Sequence, residues 1–153
     1  MIDSPALLQD ARPPEALMRI VNPLVRLLLR TPASRCIRPL ALVEFRGRHT
    51  GLRRRVVVGW HIVEGTPVVV TPAGWRVNFT GGHEARVRWR GHRGVFMGTL
   101  DADPDSVAHV VNTLVRGGTS ARSLALRIPA AHVVTAADVT ATRRAAIRFR
   151  SVA

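Results

Sequence analysis

The sequence predicts an α+β domain built on a small antiparallel β-barrel. Short runs of β-branched residues follow one another between residues 39 and 100 and are closed by glycine or proline, as expected for strands joined by turns. A helical pattern with clear start and stop residues occupies 104–116. The chain has 153 residues, enough for one domain with a single core, and we expect that domain to span 1–153.

Strands are predicted from composition and from alternation along the chain. Between 84 and 90, small or apolar residues alternate with three arginines, which is typical of a strand with one face toward solvent. The GHRG stretch at 91–94 is predicted to be the turn that joins this strand to a partner ending near Leu100. The other predicted strands are 39–47, 54–65, 66–71 and 123–128.

The segment 104–116 has the signals expected at both ends of a helix. Asp103 is the predicted N-cap, Pro104 is the first helical residue and Gly117 ends the helix. One stripe of this helix is apolar, and we expect it to face the core. The stripe consists of Val107, Val110, Val111 and Leu114.

Two more helices are predicted toward the ends of the chain. Residues 23–30 form an amphipathic N-terminal segment with Asn22 as its N-cap. A C-terminal helix is predicted over 136–149. We expect 1–14 to be a flexible N-terminal segment and 130–153 to be a C-terminal extension of the barrel.

The composition excludes several classes of functional site. All basic residues are arginine, giving a net charge of +13, and without lysine there is no phosphate-loop lysine or pyridoxal Schiff base. The single cysteine, Cys36, excludes an internal disulfide and every multi-cysteine zinc site. The six histidines form no pair at helical metal-ligand spacing, so no metal site is predicted.

No motif for catalysis by protein side chains is present. The sequence lacks a nucleophile elbow and a dinucleotide fingerprint, and three of its acids surround the helix cap at 101–105. We therefore expect no catalytic side chain and assign any chemistry to a cofactor. No segment reaches the length of a membrane span and the N-terminus lacks a secretory signal, which predicts a cytoplasmic protein.

The stretch GRHTGLRRR at 47–55 is the strongest candidate for a binding site. It lies between two predicted strands, and its glycines allow a turn whose backbone N–H groups converge on one point. The Thr50 hydroxyl can donate a hydrogen bond, and guanidinium groups bind phosphate or carboxylate through two parallel hydrogen bonds. The spacing alone fits an anion site and a solvated turn equally well.

These residues resemble a known family, the deazaflavin-dependent nitroreductases of actinobacteria, within the flavin/deazaflavin oxidoreductase superfamily. The matching features are Gly-Arg-x-Thr-Gly at 47–51, a basic residue at Arg54, and a Trp-x-x-Asn pair formed by Trp75 and Asn78. Their order matches as well, and the resemblance covers about 22–129. It implies a split β-barrel of the FMN-binding type preceded by an N-terminal helix.

The resemblance also implies a cofactor, coenzyme F420, with FMN as the alternative. The reduced deazaflavin would transfer hydride to a small electrophile such as a quinone, an enone or a nitroaromatic compound. Its phosphate would contact Arg48, Thr50 and Arg54, and Arg53 or Arg55 would meet its oligoglutamate tail. The valines of the site and Thr71 would lie beneath the ring system, and Trp75 and Asn78 would lie at its edge. The implied cofactor-binding residues are Arg48, His49, Thr50, Gly51, Arg53, Arg54, Arg55, Val56, Val57, Val70, Thr71, Trp75 and Asn78.

The chain departs from the family in ways that leave its substrate open. The loop before Trp75 is only PAG, Arg76 stands where the family has an aromatic residue, and no tyrosine exists to cover a substrate pocket. A non-catalytic carrier of flavin, haem or lipid on the same fold is therefore an alternative function. Trp75 fits a core anchor as well as a ring contact, and Asn78 equally fits a cap.

Three expectations concern partners. No nucleic-acid partner is expected, since no binding module is recognisable and aromatic residues make up only 5% of the chain. A basic nucleic-acid-binding domain is thus the weaker alternative. Peripheral membrane contact through 23–30 would suit a quinone acceptor, although amphipathic packing is the favoured interpretation of that helix. Both a monomer and a homodimer stay open.

Overall fold

The computed structural model describes residues 9–10, 40–124 and 126–152. The predicted helix at 23–30, its cap Asn22, and Cys36 lie outside the described residues. The elements along the chain are β1 (Gln9–Asp10), β2 (Leu40–Arg46), β3 (Arg53–Gly59), β4 (His61–Val63), β5 (Thr66–Thr71), a first 3-10 helix (Gly74–Phe79), β6 (His83–Trp89), β7 (His92–Asp101), helix α1 (Pro104–Arg116), a second 3-10 helix (Ala121–Leu124), β8 (Leu126–Arg127), helix α2 (Ala136–Ala141) and β9 (Ala145–Ser151).

The main feature is a seven-stranded sheet in the order β3-β2-β6-β7-β9-β5-β4. Every pairing in it is antiparallel. The sheet curls until residues of β3 approach β5. β1, from the segment 1–14, pairs with β8 in a separate two-stranded sheet. This curled half-barrel with a few helices confirms the predicted α+β split-barrel class.

The curled sheet has a different core on each face. Its concave face encloses an aromatic cluster, because side chains alternate between the two faces of a strand. At the β4–β5–β9 end, the convex face is covered by α1, whose predicted stripe of Val107, Val110, Val111 and Leu114 is buried as expected. The concave cluster consists of Ala41, Val43, Phe45, Val58, Trp60, Val69, Phe79, Ala85, Val87, Ile147 and Phe149.

The ends of α1 also match the sequence prediction. The Asp103 side chain accepts a hydrogen bond from the Ser106 N–H at 3.3 Å, and Pro104 is the first helical residue. Gly117 is the C-cap, and its N–H donates to the carbonyl of Thr113 at 3.0 Å.

No helix within the described ranges is long and apolar enough to cross a membrane.

The turn between β6 and β7 lies one residue earlier than predicted. It consists of Arg90 and Gly91, with φ angles of 53° and 79°, and it places Trp89 opposite His92. Two successive residues with positive φ match the twist of a two-residue hairpin, and glycine accepts such a φ without strain. The residues that follow, predicted as part of a turn at 91–94, therefore belong to β7.

The C-terminal helix predicted over 136–149 is wrong for most of its length. The helix ends at Ala141, Arg143 takes a φ of 53°, and Ala145–Ser151 form β9 between β5 and β7. Alanine and arginine favour helices in isolation, but burial between two strands overrides that preference. An internal strand therefore lies within the segment 130–153. The strand predicted over 123–128 is shortened to β8 by the second 3-10 helix.

A buried carboxylate organises the start of α2. The Asp138 side chain accepts hydrogen bonds from the N–H of Thr135 at 2.9 Å and from its hydroxyl at 3.0 Å, and it lies 2.8 Å from Nε2 of His132. Burial by itself raises the pKa of the Asp138 carboxyl, but these hydrogen bonds and the His132 charge together hold that pKa below its ordinary value. The ionised carboxylate is thus favoured by folding.

Replacing Asp138 with asparagine is expected to lower the free energy of unfolding by about 1–3 kcal/mol at neutral pH, since it weakens buried charge-assisted hydrogen bonds. A depressed carboxyl pKa stabilises the fold above the unfolded value of about 3.9, and this stability is lost as pH falls through the folded pKa. Urea denaturation from neutral to acid pH should therefore show the two proteins converging. The exposed Asp105→Asn is the matched control, and a gap that persists at acid pH would contradict the prediction.

Candidate functional site

The turn between β2 and β3 is held by its own hydrogen bonds. The Gly47 N–H donates to the Leu52 carbonyl and the Gly51 N–H donates to the Gly47 carbonyl, both at 2.8 Å. The Thr50 hydroxyl accepts from the Leu52 N–H at 3.3 Å. The Thr50 hydroxyl keeps its own hydrogen for donation. The turn is therefore a defined structure that presents a hydroxyl donor.

Both glycines of the turn are required by its geometry. A Cβ at Gly47 would lie 2.5 Å from Thr50 Oγ1, so a side chain at this position would displace the Thr50 hydroxyl. Gly51 has a φ of 66°, in the left-handed region that residues with a Cβ rarely adopt. The spacing of Gly47, Thr50 and Gly51 is thus explained by the close approach of the Thr50 hydroxyl and by the left-handed residue after it.

The turn is joined to the first 3-10 helix by Arg48 and Asn78. The Arg48 N–H donates to Asn78 Oδ1 at 2.8 Å, while Asn78 Nδ2 donates to the Trp75 carbonyl at 2.7 Å. The Arg48 guanidinium donates through Nη1 to the Thr80 carbonyl at 2.6 Å and through Nη2 to the Gly82 carbonyl at 2.9 Å. Arg48 therefore positions the turn against this helix.

Trp75 lies at the same end of the barrel. Its ring centroid is 5.8 Å from that of Phe45 and 6.1 Å from that of Phe79, and the side chain is half-buried. Phe45 and Phe79 are buried in the concave core. Trp75 thus combines a contact with the core and a partly accessible edge.

The three consecutive arginines are divided between the two faces of β3. Arg54 pairs with Phe45 and shares the concave side with Val56, whereas Arg53 and Arg55 lie on the convex side. The Arg54 Nε is 3.7 Å from the position that a Cβ on Gly47 would occupy, so this side chain lies over the turn. Arg54 and Thr50 are therefore polar side chains that lie close together at the turn.

The floor implied for the ring system does not form as one surface. Val56 and Val57 are adjacent in β3 and face opposite sides of the sheet, and the same applies to Val70 and Thr71 in β5. Val56 packs on the concave cluster, while Val70 packs against the cluster covered by α1. Only Val56 and Thr71 of this set face the barrel interior.

Two residues that sequence reasoning missed stabilise the same end of the barrel. His83 Nε2 lies 2.6 Å from the Arg46 carbonyl, and the Arg46 Nη1 donates to the Gly51 carbonyl at 3.2 Å. The contact of His83 joins residues far apart in sequence, and the contact of Arg46 joins the end of β2 to the turn. No short motif contains them, so only the fold could reveal them.

The convex side next to the turn carries a shallow cleft of about 260 Å³. Glu44 and Arg86 line this cleft and are opposite each other on neighbouring strands. Beside the cleft, Arg55 Nε lies 3.5 Å from Glu44 Oε1. Glu44 therefore offsets part of the positive charge on this side. The remaining cleft residues are Phe45, Arg46, Arg53, His83, Glu84 and Ala85.

Comparisons with known proteins identify no family for the chain. No family model matches the chain, and no curated protein matches its sequence. Among solved structures, the chain is similar to that of the conserved hypothetical protein Rv2991 from Mycobacterium tuberculosis. The TM-score is 0.47 and the sequence identity is 9%, over 94% of this chain and 84% of that chain. This similarity assigns no activity to the chain.

Proposed function

We propose that the protein is an F420-dependent oxidoreductase that binds its cofactor at the barrel end formed by the 47–51 turn and the first 3-10 helix. One observation carries the proposal. The two motifs of the family resemblance are far apart in sequence, yet the Arg48 N–H donates directly to Asn78 Oδ1 at 2.8 Å. The two motifs therefore lie side by side and can contribute to one binding site.

The donors at this end fit an anionic, planar cofactor. The Thr50 hydroxyl and the Arg54 guanidinium can hold a phosphate, since a guanidinium donates two parallel hydrogen bonds to its oxygens. Arg48 acts indirectly, because its guanidinium donates to the Thr80 and Gly82 carbonyls. The half-buried Trp75 offers an aromatic edge to the ring system.

The bound cofactor would supply a hydride from its reduced deazaflavin ring. The protein would orient the ring and the acceptor and exclude water from the space between them, which accounts for much of the acceleration when the cofactor carries the chemistry. We assign no catalytic side chain and take solvent as the source of the proton. A quinone, an enone or a nitroaromatic compound is the proposed acceptor.

Arg54→Ala tests the proposal in a fluorescence titration with oxidised F420. We expect affinity to fall by about tenfold or more, because a hydrogen bond to a charged group contributes about 1.5–3 kcal/mol. Arg122→Ala is the control, since it removes an equal charge from an exposed residue in the second 3-10 helix. Equal losses in both variants, or no binding by the wild type, would overturn the site.

Two further measurements separate the alternatives. A parallel titration with FMN identifies the cofactor, since tighter binding of FMN would replace F420 in the proposal. Oxidation of reduced F420 is then followed with one acceptor of each class. Binding without oxidation by any acceptor would identify a non-catalytic carrier and overturn the enzymatic part of the proposal.

A further inference from the structure

The convex face of the sheet at the β3–β2–β6–β7 end is rich in arginine. These residues alternate with the core-facing Val43, Phe45, Ala85 and Val87, so their side chains share the opposite face. We call this set the arginine face, and it is formed by Arg46, Arg53, Arg55, Arg86, Arg88 and Arg93.

Two pairs of like charges stand directly opposite each other on the arginine face. Arg46 is the cross-strand partner of Arg53, and Arg88 is the partner of Arg93. Side chains in this relation lie roughly 5 Å apart at Cβ, and like charges there are destabilising. On β2 the neighbour of Arg88 is Leu42, which carries no charge. An anion bound between Arg88 and Arg93 would remove their repulsion.

The turn at the end of this hairpin adds one more guanidinium. Arg90 has a φ of 53°, and its Cζ lies 5.0 Å from the centroid of the Trp89 ring. Trp89 packs on the concave cluster, so this cation–π contact holds the Arg90 charge at the turn itself and not on the arginine face. β2 and β6 are antiparallel with Ala41 opposite Trp89, so the hairpin turn lies at the opposite end of β2 from the 47–51 turn. This basic end is therefore separate from the proposed cofactor site.

We propose that the β6–β7 part of the arginine face, formed by Arg86, Arg88 and Arg93, binds the phosphate backbone of a nucleic acid without sequence preference. Phosphodiesters are permanently ionised and regularly spaced, and guanidinium groups bind them bidentately. The sequence argued against this partner because no nucleic-acid-binding module is recognisable and aromatic residues for base stacking are scarce. Backbone binding on a charged sheet face needs neither a base-reading module nor stacked bases, so neither objection applies to it.

The arginine face fits a protein or a membrane partner less well. Protein interfaces have an apolar, often aromatic centre, and membrane contact needs apolar side chains that insert. Among the described residues, none of the large exposed hydrophobic side chains lies in β6 or β7. They are Leu52, Ile62, Val77, Val133 and Val152.

Fluorescence anisotropy with a labelled oligothymidylate of about 16 nucleotides tests the proposal. Affinity should fall as salt rises from about 50 to about 200 mM. In the double variant Arg88→Ser/Arg93→Ser, binding should weaken, and the slope of log K against log salt should become shallower by roughly 0.7 for each arginine removed. Loss of a like-charge pair should leave the fold at least as stable, which thermal denaturation checks.

The double variant Arg116→Ser/Arg122→Ser is the control, because it removes the same charge from exposed residues of α1 and the second 3-10 helix. It should bind like the wild type. Equal weakening in both double variants would mean that net charge alone attracts the strand, and would overturn the proposal. The same conclusion follows if the wild type does not bind at about 50 mM salt, or if polyglutamate of similar length binds more tightly. F420 binding is expected to be unchanged in the Arg88→Ser/Arg93→Ser variant.

Discussion

Replacing Phe79 with alanine is expected to lower the free energy of unfolding by about 3–5 kcal/mol. Phe79 is fully buried, and its ring lies 5.1 Å from that of Phe45 and 5.8 Å from that of Phe149. It also ends the 3-10 helix that carries Asn78. Truncation therefore leaves a cavity among rings that cannot close around it, and it loosens the attachment of the 47–51 turn.

Guanidinium denaturation followed by circular dichroism measures this loss. Val77→Ala is the matched control, because Val77 lies in the same 3-10 helix with 56% of its surface exposed. Its effect should stay within about 0.5 kcal/mol. If the two variants unfold at similar denaturant concentrations, the ring cluster around Phe79 contributes little to stability and the prediction fails.

The second large effect is expected from Gly98→Ala, which should lower the free energy of unfolding by about 1–3 kcal/mol through overpacking. A Cβ at this position would lie 2.6 Å from Cδ1 of Phe79 and 2.8 Å from Cε1 of Phe149. Both rings are buried and packed, so neither can move away without disturbing its neighbours. Gly98 is therefore required by packing.

Gly74→Ala provides the control for this substitution. No atom lies within 4 Å of the Cβ it would add, so its stability should be unchanged or slightly increased. The double variant Gly98→Ala/Phe79→Ala tests the cause. Removing the Phe79 ring makes room for the new methyl group. The loss of unfolding free energy in the double variant should therefore be smaller than the sum of the losses in the two single variants, by on the order of 0.5–3 kcal/mol. Strict additivity would exclude overpacking against Phe79 as the cause.

The parts of the fold that sequence predicts well are those fixed by local signals. Asp103 and Gly117 bound α1 because caps act within one turn of the helix. The alternation around Ala85 and Val87 reveals β6 because one face of that strand is wet. The segment 136–149 misleads because β9 is defined by its pairing with β5 and β7, and those partners lie far away in sequence.

In the candidate site, too, the residues fixed by local signals could be predicted and those fixed by distant contacts could not. The two glycines of the turn could be predicted because the turn is closed within a few residues. The role of Arg48 could not, since its guanidinium partners are carbonyls more than thirty residues away. The shared floor of Val56 and Val57 was excluded by strand alternation, a rule that applies only once the boundaries of β3 are known.

The position of β9 has a consequence for how the protein is made. β9 follows every other strand of the sheet in sequence, yet it pairs between β5 and β7. The sheet cannot close on a nascent chain until Ala145–Ser151 have been synthesised, and until then both partner strands expose unpaired edges. Assembly of the barrel therefore waits for the synthesis of β9, and premature termination before residue 145 leaves a product prone to aggregate.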